Sequence, residues 1–411
     1  HVAAEMQRQG FTVPLLIGGA TTSRVHTAVK IHPQYKAGQA VYVTDASRAV
    51  GVVSALLSED GNETYVDGIK GEYAKVAEAH ARAEAEKQRQ PLASARENAI
   101  KLDWSAYKPT RPSFTGTKVF ETYDLAELAR YIDWTPFFQT WELAGRYPAI
   151  LDDAVVGAQA RELFKDARAM LDRIVGEKWL TAKAVVGLWP ANAVGDDIHL
   201  HADGGDAVLH CLRQQAEKPD DRANFCLADF VAPRDSGRQD WVGAFAVTAG
   251  LGIEPHVARF EADHDDYNAI LLKALADRLA ETLAERLHQR VRTEFWGYAP
   301  AESLDSEALI DERYRGIRPA PGYPACPEHS EKGTLFRLLE AEQRIGLRLT
   351  ESFAMYPAAA VSGYYFSHPG SQYFVVGRVS KEQAEDYAHR KGVSLAQAER
   401  WLASNLDYDP E

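Results

Sequence analysis

The chain has 411 residues, 45% hydrophobic and 26% charged, with a formal net charge of −13. That composition fits a folded protein of two or three domains, and the acidic balance argues against nucleic acid or an anionic membrane as the main partner. No uninterrupted apolar stretch reaches the roughly 18 residues of a membrane span, and no segment reads as a signal peptide.

The chain opens without Met on "HVAAEMQRQG", which reads as helix interior, so a piece of a longer polypeptide is expected. "VPLLIGGATTS" (Val13 to Ser23) is a short apolar run that ends in Gly18-Gly19 and a Thr/Ser cap before "RVHTAVKI". "QAVYVTDAS" (Gln39 to Ser47) is a second such run, followed by the helical pattern "RAVGVVSALLS". Strand, glycine turn, capped helix and strand predict a βαβ unit with parallel strands. In such sheets ligands sit at the carboxyl ends of the strands, where Gly18, Gly19, Asp45, Ala46 and Ser47 fall. The glycines equally serve only to make the turn, and the pair is not a GxGxxG dinucleotide fingerprint.

Residues 71–100 are charged and alanine-rich, in the form of a solvated helix. "YKPTRPSFTG" (Tyr107 to Gly116) carries two prolines and reads as linker. Residues 1–95 are therefore expected as one domain with a following helix, 96–112 as a linker and 113–411 as a second domain. In that domain "LAELARYIDWTPFFQTWEL" is amphipathic and broken at Pro136. "KAVVGLWPANAVGDDIHLHA" and "DWVGAFAVTAG" have strand character. A long helix is predicted over "DYNAILLKALADRLAETLAERLHQRVRTEFWGY", where Leu272, Leu275, Leu279, Leu283 and Leu287 recur at helical spacing. Helices and strands in runs predict an α+β domain.

Four prolines within "RPAPGYPACPEH" (Arg318 to His329) exclude both a helix and a central strand. A loop so rigid loses little further entropy on binding. It could present Arg318 as a fork to a carboxylate or phosphate, with Gly322 admitting a close approach and Tyr323 an aromatic face; a rigid connector with a solvated Arg318 accounts for it equally well. In "IDWTPFF", Asp133 could pair with an amino group or cap the next turn. In "SGYYFSHPGSQYFVVGR", aromatic alternation predicts a strand facing a core, while Tyr373, just after the "HPGS" turn, could line a pocket mouth. "DHDDY" (Asp263 to Tyr267) reads as a charged N-terminal turn before the long helix rather than a metal cluster. Three widely spaced cysteines, Cys211, Cys226 and Cys326, suit a reducing, cytoplasmic setting without disulfides. There is no CxxC or HExxH to build a zinc site, and Cys326 has no recognisable base partner to make it a nucleophile.

Several of these stretches, in this order, carry a resemblance to cobalamin-dependent methionine synthase. "PLLIGGATTSRVHTAVKI" and "VYVTDASRAVGVV" resemble the last strands of its cobalamin-binding domain. "YIDWTPFFQTWELAGRYPAIL", "VGLWPAN", "LADFVAP", "RPAPGYPACPEH" and "SGYYFSHPGSQYF" resemble its S-adenosylmethionine-binding activation domain. The resemblance implies an α+β activation domain preceded by part of an α/β Rossmann-like (flavodoxin-like) cobalamin-binding domain. It implies that Arg318, Gly322 and Tyr323 form the family's Arg-x-x-x-Gly-Tyr loop, with Arg318 taking the methionine carboxylate and Asp133 the α-amino group. Ala320 would contact adenine through its backbone, Tyr373 and Phe374 would close over the ligand, and Glu281 and Glu312 would lie near the sulfonium. Gly18, Gly19, Ala46 and Ser47 would touch the nucleotide tail of cobalamin.

The implied role is reactivation: S-adenosylmethionine and an electron from a flavodoxin-type partner restore methylcobalamin from inactive cob(II)alamin. The family's cobalt-ligating Asp-x-His-x-x-Gly motif does not occur, and neither His26 nor His32 sits in one. The upstream homocysteine and folate modules, with their zinc, are absent too, so this chain is not expected to make methionine alone. Two alternatives stand beside this reading: a non-catalytic module that binds S-adenosylmethionine or a redox partner, and a flavodoxin-like nucleotide-binding domain, which the glycine pattern fits poorly.

Overall fold

The computed structural model describes residues 2–18, 23–43, 46–58, 62–85, 89–202, 205–219 and 222–410. They fall into two compact units, a smaller one ending at Arg89 and a larger one beginning at Gln90.

In the smaller unit, β1 (Leu15–Ile17) and β2 (Ala40–Tyr42) pair in parallel, with Leu16 opposite Val41. The connection between them starts with a helical turn at Arg24–His26, capped as the sequence suggests: the His26 N–H donates to Ser23 Oγ at 3.1 Å. Helices Ala46–Leu56 and Asn62–Ala85 follow β2. Ala28, Val41, Leu56, Ile69 and Tyr73 form a small core, and the Tyr73 hydroxyl accepts the Tyr42 N–H at 2.7 Å. The parallel pair is the βαβ arrangement expected; the Rossmann-like domain it would belong to is taken up below as a proposal.

The larger unit starts with the segment expected as a linker, and that segment is anchored. Arg96 pairs with Asp196 at 2.7 Å and with Asp386 at 2.8 Å. The Trp296 indole N–H donates to the Thr110 carbonyl at 2.8 Å, and Trp104 and Tyr107 pack on the His368 ring at 4.7 and 4.5 Å. The two compact units meet at Arg89 and Gln90. Pro109 and Pro112 hold the backbone extended, but neighbouring aromatic and charged side chains tie it down.

The remaining strands are β3 (Gly116–Tyr123), β4 (Thr181–Val194), β5 (Asp197–Leu200), β6 (Ala207–His210), β7 (Asp240–Leu251), β8 (Arg348–Leu349), β9 (Met355–Tyr356) and β10 (Ala360–Tyr365). Six of them form an antiparallel sheet in the order β10-β7-β4-β5-β6, with β3 on the early part of β4. β8 and β9 form a separate pair. Burial along β4 and β7 is almost continuous instead of alternating, because both faces of the sheet are covered. Ala184, Val186, Leu188, Phe245 and Val247 join one core with the long helix, Asp266–Arg290. Val185, Trp189, Val242, Ala244 and Ala246 join a second core with helix Glu331–Leu339.

The predicted leucine stripe of the long helix, Leu272 to Leu287, is fully buried. Each such side chain contributes roughly 1.5–3 kcal/mol relative to exposure. "DHDDY" is the start signal expected: Asp265 caps the long helix by accepting the Asn268 N–H at 3.0 Å. The aromatic stretch after Ser362 is strand only as far as Tyr365; beyond the His368–Gly370 turn it has no ladder partner. Among the described residues, no helix is long and apolar enough to cross a membrane.

Candidate functional site

The proline-rich loop begins as an extended edge laid against β10. Ile317 and Phe366 exchange backbone hydrogen bonds at 3.1 and 3.0 Å, and the Tyr364 N–H donates to the Pro319 carbonyl at 2.8 Å. Pro319 can only accept, which suits an edge. A glycine on β10 makes the approach possible, since a Cβ at Gly363 would lie 2.7 Å from the Pro319 oxygen. The outward Arg318 N–H donates to the Tyr373 hydroxyl at 3.0 Å. The chain then turns on itself, with the Gly322 N–H on the Cys326 carbonyl at 2.7 Å and the Cys326 N–H on the Tyr323 carbonyl at 2.9 Å. Gly322 sits at φ +93°. Burial pushes the Cys326 thiol well above its ordinary pKa, the opposite of an activated nucleophile.

This backbone fixes the start of the Arg318 side chain, and the long helix receives its end. Nη2 donates to Glu285 Oε2 at 2.6 Å, with the two side chains 21% and 24% exposed. Burial is the largest single influence on the Arg318 charge and opposes it, but Glu285, Tyr314, Tyr373 and Glu281 together outweigh it and raise the pKa. Arg318 Nε and Glu285 Oε1 are buried without a hydrogen-bond partner. Burial, then the Arg292 and Arg318 charges, push His288 well below its ordinary pKa, so the imidazole is neutral. Its ring stacks on Tyr365 at 5.2 Å and meets Tyr314 edge-on at 4.8 Å.

Two cavities meet at Arg318, Glu281 and Glu312. One, of about 240 Å³, reaches Asp133, Tyr131, Arg278, Glu285 and Ile310. The other, of about 510 Å³, reaches Ala320, Tyr323, Tyr373, Phe374, Phe245 and Val361. Eight of the nine residues singled out for ligand binding in this unit thus line one cavity or both. Gly322 is the exception: its place is in the turn behind the wall. Tyr323 is 61% exposed at the mouth, whereas Phe374 is buried against Phe225 and Phe230.

Of the two roles considered for Asp133, the turn contact is present. Its Oδ1 accepts the Thr135 N–H at 2.9 Å, at the start of helix Thr135–Thr140. Among the described residues no hydrogen bond reaches its other oxygen. Glu312 adopts φ +56°, a left-handed conformation that costs a non-glycine residue on the order of 1–2 kcal/mol. Partial burial raises its pKa, with the Arg318 charge working against the rise.

Glu285 was not among the candidates from sequence. The available signal was its position four residues after Glu281, hence on the same helix face.

In the smaller unit, Gly18 follows β1 closely enough to β2 that a Cβ would lie 3.2 Å from the Val43 carbonyl. Ala46 and Ser47 open the helix after β2. Gly19 and Asp45 lie outside the described residues. A cavity of about 910 Å³ in this unit is lined by Tyr42, Val43, Tyr65 and Tyr73 among others, and Gly18 is not in its described lining. Among the described residues no group of His, Cys, Asp or Glu is arranged to hold a metal ion.

Residues 124–392 match the family of the vitamin B12 dependent methionine synthase activation domain. The crystal structure of the MetH reactivation domain bound to AdoHcy is 56% identical in sequence, with a TM-score of 0.76, and the match covers 78% of this chain and 99% of that one.

Proposed function

Since the chain belongs to the vitamin B12 dependent methionine synthase activation domain family, we propose that the cleft around Arg318 binds S-adenosylmethionine for the reductive remethylation of cob(II)alamin. The enzyme of that family is a methyltransferase, and the chain acts as its reactivation part within a longer polypeptide. The observation that carries the reading is the buried, unpartnered Nε of Arg318 at the junction of two carboxylate-lined cavities.

S-adenosylmethionine carries a carboxylate, an ammonium group and a sulfonium, and the cleft has a counterpart for each. Arg318 takes the carboxylate through charge-assisted hydrogen bonds. Asp133 takes the ammonium group with the oxygen that does not cap Thr135. Glu281 and Glu312, shared by both cavities, stabilise the sulfonium. Ala320, Gly322 and Tyr323 shape the adenosine end, and Tyr373 and Phe374 close its wall. The AdoHcy bound to the MetH reactivation domain is what remains when S-adenosylmethionine has given up its methyl group, which supports the assignment.

Cobalamin, when bound, supplies the cobalt that receives the methyl group. Gly18, Gly19, Ala46 and Ser47 are the proposed contacts to its nucleotide tail. In support, Gly18 and the helix opening at Ala46 both follow carboxyl ends of parallel strands, where open α/β sheets place ligands. On this reading residues 1–95 are part of a Rossmann-like cobalamin-binding domain. A reduced flavodoxin-type protein is the proposed electron donor, and homocysteine, folate and zinc belong to upstream modules of methionine biosynthesis. The three unpaired cysteines support a cytoplasmic setting.

A thermal-shift titration tests the reading. S-adenosylmethionine at 100 times its Kd is expected to stabilise the chain by about 2.7 kcal/mol, while flavin mononucleotide does nothing. No shift with S-adenosylmethionine, or a shift with the flavin alone, contradicts it.

A further inference from the structure

Behind Arg318 the polar side chains alternate in charge. Glu302 grips Arg292 through three hydrogen bonds of 2.8–3.0 Å, and Arg292 is completely buried. Arg292 Nη1 lies 3.9 Å from Glu285 Oε1, and Glu285 Oε2 holds Arg318 Nη2 at 2.6 Å. The Arg292 guanidinium sits 4.1 Å over the Tyr314 ring, and neutral His288 packs beside it. The Glu302–Arg292 pair is enclosed, with the two side chains 7% and 0% exposed.

The loop backbone fixes the Arg318 Cα but leaves a long side chain whose rotamers differ by several ångströms at the guanidinium. Its only hydrogen bond among the described residues is to Glu285. Glu285 therefore selects the rotamer, neutralises the cation before any ligand arrives, and occupies Nη2 while Nε stays unpaired. We infer that Glu285 is a positioning residue: through its bond to Nη2 it holds the Arg318 guanidinium ready for the ligand carboxylate. This rests on the reading of the cleft as an S-adenosylmethionine site.

Calorimetric titration of the 411-residue chain with S-adenosylmethionine and with decarboxylated S-adenosylmethionine separates positioning from general support of the fold. Glu285→Ala is expected to weaken S-adenosylmethionine binding about 10-fold or more and to leave the decarboxylated ligand unchanged. In an Arg318→Ala background the same substitution adds no further loss. Equal loss for both ligands, unchanged affinity, or tighter S-adenosylmethionine binding overturns the inference while the site reading stands. A wild-type chain that binds neither ligand overturns both. Should Glu285→Ala fail to fold, Glu285→Gln keeps the shape and one acceptor oxygen; a smaller loss confined to S-adenosylmethionine is expected, and no loss overturns the inference.

Discussion

Gly322 and His329 touch so closely that a Cβ on Gly322 would lie 2.2 Å from His329 Cε1. The imidazole is held in place, with its Nδ1 2.8 Å from Lys332 Nζ. The glycine is thus required twice, by its φ of +93° and by the ring behind it. Gly322→Ala is expected to cost on the order of 1–3 kcal/mol, read as a lowered urea midpoint. Adding His329→Ala removes the clash but not the backbone strain, so it recovers part of the loss. A Gly322→Ala chain as stable as wild type would show that the turn adapts freely.

Substitutions at Asp133 separate its hydrogen bond to the Thr135 N–H from the proposed ammonium contact. Asparagine keeps an oxygen for the Thr135 N–H and removes the charge, whereas alanine removes both. Asp133→Asn is expected to hold stability within about 0.5 kcal/mol and to weaken S-adenosylmethionine binding. Asp133→Ala should lower stability as well, by roughly 1 kcal/mol. Melting curves and titrations on the same samples check both; an Asp133→Asn chain with full affinity removes the ammonium contact.

His368 gives the packing of the 98–110 segment a pH dependence. Burial, then the Arg315 charge, push its pKa from 6.5 down to about 4, and its Nδ1 accepts the Gly370 N–H at 2.9 Å. The folded chain therefore binds fewer protons here than the unfolded chain between those values, and this contribution to stability falls as the pH falls through that window. Asp240 acts oppositely, since burial raises its carboxyl from 3.8 to about 6. Its folded state keeps a proton that the unfolded state has lost, which favours folding as the pH falls. Comparison with His368→Asn isolates the histidine: the stability gap between wild type and variant is expected to narrow by on the order of 1–3 kcal/mol between pH 7 and 4. Parallel curves would contradict the buried neutral imidazole.

Legibility in the sequence followed the range of the interactions. The leucine stripe of the long helix and the apolar runs of β4 and β7 repeat over short distances, and they fold as their spacing suggests. Arg318, Gly322 and Tyr323 stood out because prolines crowd around them. The anchoring of residues 96–112 did not, since proline marks an extended backbone without saying what it packs against, and Arg96 finds Asp386 only 290 residues later. Glu285 was equally hidden. A glutamate on a charged helix reads as solvated, and its partner is 33 residues away in sequence. The alternation after Ser362 promised a longer strand than forms, because a strand needs a free ladder edge as well as a pattern.

Calorimetric titration of wild type against Arg318→Ala decides whether Arg318 binds the carboxylate of S-adenosylmethionine. The expected result is saturable binding by wild type and a loss of roughly 2–4 kcal/mol in the variant, from a missing charge-assisted pair. The same affinity in both proteins would show that Arg318 does not hold the carboxylate.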